Sequence, residues 1–158
     1  MTGIECFTSL ETLNIPHHDF TNLNLIQNTN LTNLQCASNQ YLTSITFPSS
    51  LEYVNVINTG VASLDFSTCN NLVYLTGNAN ANLTFLDLRN GNNQNLNLLG
   101  PTQTGQGFND CPNLMNILVD DPTWSSNNWP SSTHYWNSGA QFCSGYNNGV
   151  YTGCVSVQ

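Results

Sequence analysis

Leu10, Leu31, Leu51, Leu72, Asn93 and Leu114 recur at intervals of about 20 to 21 residues, and this self-similarity restricts the chain more than any other feature. Three positions after each stand Leu13, Leu34, Val54, Leu75, Leu96 and Ile117, and five positions after each stand Ile15, Cys36, Val56, Gly77, Leu98 and Val119. A second apolar pair follows in the first four units: Leu23 with Leu25, Ile45 with Phe47, Leu64 with Phe66, Leu86 with Leu88. Apolar and polar residues alternate around each pair, as in a short strand with one buried face. A strand that recurs once per unit stacks on its copies in a parallel ladder, about 4.8 Å per step. One unit is too small to bury its own apolar face, so neighbours must cover one another. The expected architecture is a mainly β solenoid of about six turns, with an N-terminal edge at residues 1–9 and turns over 10–123.

The register also sorts the surface. If the first strand of each turn lines one sheet, its outward side chains form two rows. One row is Thr12, Asn33, Tyr53, Tyr74, Asn95 and Asn116; the other is Asn14, Gln35, Asn55, Thr76, Asn97 and Leu118. Asn39 and Asn80 fall at corners, where His18, Thr59 and Pro101 stand in other turns. An amide there satisfies the backbone as it turns and tolerates left-handed dihedrals. The stretch Gly100 to Gly107 reads as a loop replacing the second strand of the fifth turn, and Cys111-Pro112-Asn113-Leu114 reads as the start of a sixth. From Trp124 onward the period is lost and aromatic residues gather, so residues 124–158 read as an irregular aromatic C-terminal cap.

Composition narrows the partners. The chain has one Lys or Arg in all, Arg89, and a formal net charge of −8. Phosphate backbones and anionic lipid surfaces are held by clustered cations, which this chain lacks, so no nucleic-acid partner is expected. No apolar run approaches the roughly 20 residues of a spanning helix, so no membrane insertion is expected either. Solubility is left to neutral groups, among them 27 asparagines.

The units resemble a known family, the leucine-rich repeats of secreted and cell-surface proteins of Bacteroidetes, in particular flavobacteria. The resemblance is carried by residues 31–45, by residues 64–95, and by a closing segment from Cys111-Pro112-Asn113-Leu114 through Val119-Asp120-Asp121-Pro122-Thr123-Trp124 to Asn128-Trp129. It covers about residues 8–143. It implies a leucine-rich-repeat solenoid, an exported or surface-displayed protein, and a binding or adhesion role, often as one module of a longer chain. The family places a cysteine near the start of its closing strand, where this chain has Asn116 and Ile117.

Cys69 and Cys111 read as the same repeat position two turns apart, roughly 9 to 10 Å, which is beyond disulfide reach. Cys36 falls at an inward position and reads as a small hydrophobe. Cys143 and Cys154 flank a glycine-rich turn and are placed to close a small loop; the redox states of Cys6, Cys36, Cys69 and Cys111 are left open. His17, His18 and Asp19 do not make a metal site, because adjacent side chains of an extended segment point apart and a third ligand is missing. The spacing around Asp120 and Asp121 matches no calcium loop. His134 has no carboxylate nearby in sequence and no nucleophile elbow occurs, so the chain is not expected to be an enzyme or to carry a metal or cofactor. Trp124, Trp129, Tyr135 and Trp136 read first as an end cover and second as a platform for an apolar ligand face. The candidate ligand-binding residues are Gln35, Tyr53, Asn55, Tyr74, Asn97 and Asn116. On this reading the chain is a recognition or adhesion module for a protein or glycan, at the cell surface or outside the cell. The alternative is a self-assembling structural subunit of a filament, surface layer or virion.

Overall fold

The computed structural model describes residues 2–98, 107–129, 136, 137 and 139–157. It is a mainly β parallel solenoid of five coils with little helix. Each of the first four coils carries two three-residue strands: β1 (Thr12–Asn14) and β2 (Asn22–Asn24), β3 (Asn33–Gln35) and β4 (Ser44–Thr46), β5 (Tyr53–Asn55) and β6 (Ser63–Asp65), β7 (Tyr74–Thr76) and β8 (Phe85–Asp87). The odd-numbered strands form a four-stranded ladder in the order β1-β3-β5-β7. On the opposite side β2 pairs with β4, and β6-β8 continues into β9 (Asn116–Leu118), β10 (Gln141–Asn147) and β11 (Val150–Ser156). Between the two sides lies a dry core. Leu34, Val54 and Leu75 from the first ladder face Leu23, Leu64, Leu86 and Ile117 from the other, all essentially inaccessible.

The corners are built alike. His17, Ser38, Asn58, Ala79 and Asp110 adopt left-handed dihedrals, and each precedes the residue that turns the chain. At two of these corners an asparagine ties consecutive coils together. Asn39 Nδ2 donates to Cys36 O (2.7 Å) in its own coil and Ile15 O (2.9 Å) in the preceding one, while its Oδ1 accepts from His18 N (2.6 Å). Asn80 repeats this with Gly77 O, Val56 O and Thr59 N, and also accepts from the Thr59 hydroxyl. On the other side Asn28 Nδ2 reaches back to Ile4 O and Phe7 O. Residues 4–10 therefore stand where 25–31 stand one coil later, as half of a further coil. Phe7 is 62% exposed at the place where Asn28, Cys69 and Asn90 are buried.

The six expected turns are five. The left-handed corners His17, Ser38, Asn58 and Ala79 follow one another at an even step, but Asp110 comes well after the place that step would give it. The extra length falls after Leu98, and the chain rejoins the stack where Gly77 N donates to Gly107 O and Ala79 N to Asn109 O. Cys111-Pro112-Asn113-Leu114 thus opens the second side of the fifth coil, and β9 pairs with β8 and β10. Asn116 and Leu118 belong to the second ladder, away from Tyr53 and Tyr74, which corrects their place in the outward rows. For the same reason Cys111 lies at the first corner of its coil and Cys69 at the second, not at one repeat position. A smaller slip affects the fifth coil: a 3-10 turn over Asn93–Asn95 lengthens the preceding corner, so Asn97, and not Asn95, bridges to Tyr74.

The C-terminal segment, expected to be irregular, carries a short helix and a hairpin. Asp121 caps helix α1 (Pro122–Asn128), its carboxylate accepting from Thr123 N (2.9 Å) and Trp124 N (3.0 Å), with proline in the first turn, where its missing N–H costs nothing. Trp129 and Trp136 meet Phe142 edge to face, at 5.9 and 5.2 Å between ring centroids, and cover the end of the core. The antiparallel hairpin β10–β11 holds the Cys143–Cys154 disulfide. The second-ladder residues Asp87 and Leu118, outward by register, are buried on this flank. The stretch Gly100 to Gln106, with His134 and Tyr135, lies outside the described residues.

The other four cysteines are free: Cys6 is exposed, and Cys36, Cys69 and Cys111 are buried. Burial pushes the Cys36 thiol up to about 12 and the Cys69 and Cys111 thiols up to about 11, from 9.0. A raised thiol favours the folded state while it stays protonated. That contribution is complete below pH ~9 and is lost as pH rises from there through ~11 to 12. At pH 8 iodoacetamide is expected to modify Cys6 alone in the native protein, and all four after denaturation. Rapid native labelling of Cys36 would contradict the packing described.

Candidate binding face

Parallel register places the expected face together across four coils. Thr12, Asn33, Tyr53 and Tyr74 are successive partners along one row, and Asn14, Gln35, Asn55 and Thr76 along the next. Asn97 extends the tyrosine row by its bridge to Tyr74. Five of the six candidate residues, Gln35, Tyr53, Asn55, Tyr74 and Asn97, are thereby contiguous; Asn116 is on the opposite sheet. Exposure falls along the face. Thr12 and Asn14 are exposed, Asn33 through Tyr74 are half-buried, and Thr76 is buried.

Tyr53 and Tyr74 sit 6.3 Å apart between ring centroids, tilted by 49°. They are register partners on adjacent strands, so the pair forms a short aromatic ridge on a backbone that both coils fix. The amides beside it are partly committed. Asn55 Oδ1 accepts from Ile57 N (3.1 Å), a local turn closure that Asn24, Asp65 and Asp87 make with the N–H two residues on in other coils. This explains why Asn and Asp recur after these strands. Asn55 is left its NH2 group for an outside acceptor. Neither row contains a charged side chain, so the face suits a neutral polar ligand or a protein partner that packs on tyrosine.

Three carboxylates away from this face have structural partners. Asp87 is gripped by Arg89 in a two-pronged pair, Nε to Oδ1 at 3.0 Å and the terminal nitrogen to Oδ2 at 2.6 Å. This contact holds the Arg89 guanidinium above its ordinary pKa. Tyr146 meets Phe85 at 5.6 Å and Tyr151 at 4.6 Å, and burial, with Tyr146 and Asp87 nearby, raises the Tyr151 hydroxyl. Asp120 accepts from Gly91 N, and Asp121 caps α1. Among the described residues no three His, Cys, Asp or Glu side chains converge as a metal site requires.

Reading the sequence missed a second surface feature, at the corners beyond the first ladder. From corner residue to next strand the chain takes five steps in coil two (Asn39 to Ser44) but four in coils one and three (His18 to Asn22, Thr59 to Ser63). Gln40 and Tyr41 therefore protrude between two shorter corners, with a hollow of about 340 Å³ beside them. The signal was present as a missing residue between Thr59 and Ser63 in the repeat alignment.

Compared with protein-family models, curated proteins and solved structures, the chain matches none.

Proposed function

We propose that the chain is a non-catalytic recognition or adhesion module, exported or displayed at a cell surface, that binds a protein or glycan through the outer face of the first ladder. The observation that carries this reading is the registered pair Tyr53 and Tyr74 on an uncharged, amide-bearing sheet face. Tyrosine supplies flat apolar area with a polar tip at low entropic cost, which is why it dominates contact surfaces. Kinship with the exported leucine-rich repeats of Bacteroidetes rests on the unit sequences at 31–45 and 64–95 and on the leucine spacing within each coil. The Cys143–Cys154 disulfide suits an oxidising compartment outside the cytosol.

Once a ligand is captured from a glycan or surface-protein screen, Tyr53→Ala and Tyr74→Ala are each expected to weaken it at least tenfold, by biolayer interferometry, with an unchanged melting temperature. Undiminished affinity in both variants would remove the face from consideration.

One observation favours assembly as a second reading. The outer edges of β1 and β2 end their ladders, and Phe7 is exposed beside them. Unpaired strand edges template further pairing. Light scattering separates the two readings: a constant mass near 17.3 kDa supports recognition, and growth with concentration supports assembly.

A further inference from the structure

We infer that the corner ridge carries a second binding site, separate from the sheet face, in which the Tyr41 ring is the platform for one ring of a neutral glycan. Tyr41 is 63% exposed, the most of any large apolar side chain in the described part of the molecule. Its backbone is nevertheless fixed. Leu42 N donates to Asn39 O (3.0 Å), Leu42 is fully buried, and the Asn39 side chain is bonded to its own coil and to the preceding one. The corresponding places on the other five-step corners hold asparagine, Asn82 and Asn113. An aromatic ring held out in water on a rigid corner gains nothing for the core, and stacking on a ligand would desolvate it at little cost in order.

Gly60 lies on the short corner of coil three, and a Cβ there would stand 2.4 Å from the Gln40 carbonyl oxygen, so the corner that carries Tyr41 packs main chain to main chain on its neighbour. The hollow beside the ring is lined by Ser38, Gln40 and Asn58, which offer neutral donors and acceptors, and by His17, His18 and Asp19. Its volume is at the small end for ligand clefts.

The chemistry of the walls selects the ligand. A protein hot spot needs an apolar surround that closes off water around the anchor, and here everything around the ring is polar. A sugar ring asks for the opposite arrangement: one flat face for its C–H groups and polar groups at the edge for its hydroxyls. Anionic sugars and phosphates are disfavoured because the one arginine, Arg89, is engaged by Asp87, and the chain carries a net charge of −8.

The test titrates the full chain with laminarihexaose, cellohexaose and mannohexaose, with an alginate hexamer as the acidic comparison, by calorimetry and by amide chemical shifts. At least one neutral hexaose is expected to bind and to shift residues 38–41 and 58, with the uronate oligomer inert. Tyr41→Ala should weaken binding at least tenfold at an unchanged melting temperature, and Tyr41→Trp should retain it. Asn82→Ala, at the matching place of a later five-step corner, should leave it intact. The site is refuted if no neutral hexaose binds at millimolar concentration, or if binding survives Tyr41→Ala. Loss in the Tyr53 and Tyr74 variants alone would also refute it, assigning the glycan to the sheet face.

Discussion

Phe108→Ala is expected to destabilise the protein by about 3–5 kcal/mol, the range for emptying an aromatic site in a core that cannot collapse. Phe108 is 1% exposed and lies parallel to Trp136, 5.6 Å between centroids, where the fifth coil returns to the stack. The place directly beneath it belongs to Gly77, where the coils before have Ile15, Cys36 and Val56. A Cβ on Gly77 would come within 2.4 Å of the Phe108 ring. The two residues share one volume, so Gly77→Val alone should also destabilise, by about 1–3 kcal/mol through overpacking. The combination is the sharper test. In Gly77→Val/Phe108→Ala the valine occupies space the ring has left, and the double variant should be more stable than the sum of the two losses by at least about 1 kcal/mol. Urea unfolding of the four proteins gives the cycle. Simple additivity would mean that the rings of the fifth coil do not rest on Gly77.

Asn80→Ala should cost on the order of 3 kcal/mol, although no apolar contact is the main loss. Its side chain serves four buried partners: Val56 O (2.9 Å), Gly77 O (2.7 Å), Thr59 N (2.8 Å) and Thr59 Oγ1 (2.7 Å). Water does not reach this corner, so removing the amide strands several of these groups at about 1–3 kcal/mol each, less whatever re-pairing the backbone can make. Thr59→Ala, which removes one hydroxyl and leaves the backbone bond, should cost about 1 kcal/mol. Asn82→Ala, two residues on and exposed, should change stability by less than about 0.5 kcal/mol. Thermal unfolding should rank the three in that order; equal losses at Asn80 and Asn82 would remove the clamp from the account.

The repeat was legible because inward positions accept only apolar residues, so Leu31, Leu34, Leu51, Val54, Leu72 and Leu75 betray the register directly. The face carrying Gln35, Tyr53, Asn55 and Tyr74 followed from the same alternation. What misled was an insertion in the fifth coil. Cys69-Asn70-Asn71-Leu72 and Cys111-Pro112-Asn113-Leu114 look like the same unit because both open a strand from a buried cysteine, yet they do so on opposite sides of the solenoid. Local sequence reports that a corner is being turned and not which one, and Asn116 was placed on the wrong sheet for that reason. The covering of Asp87 and Leu118 was invisible as well. Their outward position in a strand is written in the alternation, but the rings that gather on that flank come from Tyr146 and Tyr151, far along the chain and beyond the last repeat.

The corner amide also has a bearing on how such a chain can lengthen. The two first-corner asparagine clamps each sit on a four-step corner whose N–H their carbonyl oxygen accepts, His18 beneath Asn39 and Thr59 beneath Asn80. The fifth coil breaks this alternation, since its five-step corner rests on another five-step corner. There the clamp is Cys111, whose thiol donates to Gly77 O (3.3 Å) and whose sulfur in turn takes a hydrogen bond from the Asn80 backbone. The unit that preserves this alternation is a pair of coils, the stretch from Asn39 to Asn80. Tandem duplication of that pair would set each new asparagine on a four-step corner, as Asn39 and Asn80 are set now, whereas copying coil two alone would stack one five-step corner on another, as happens between Asn80 and Cys111.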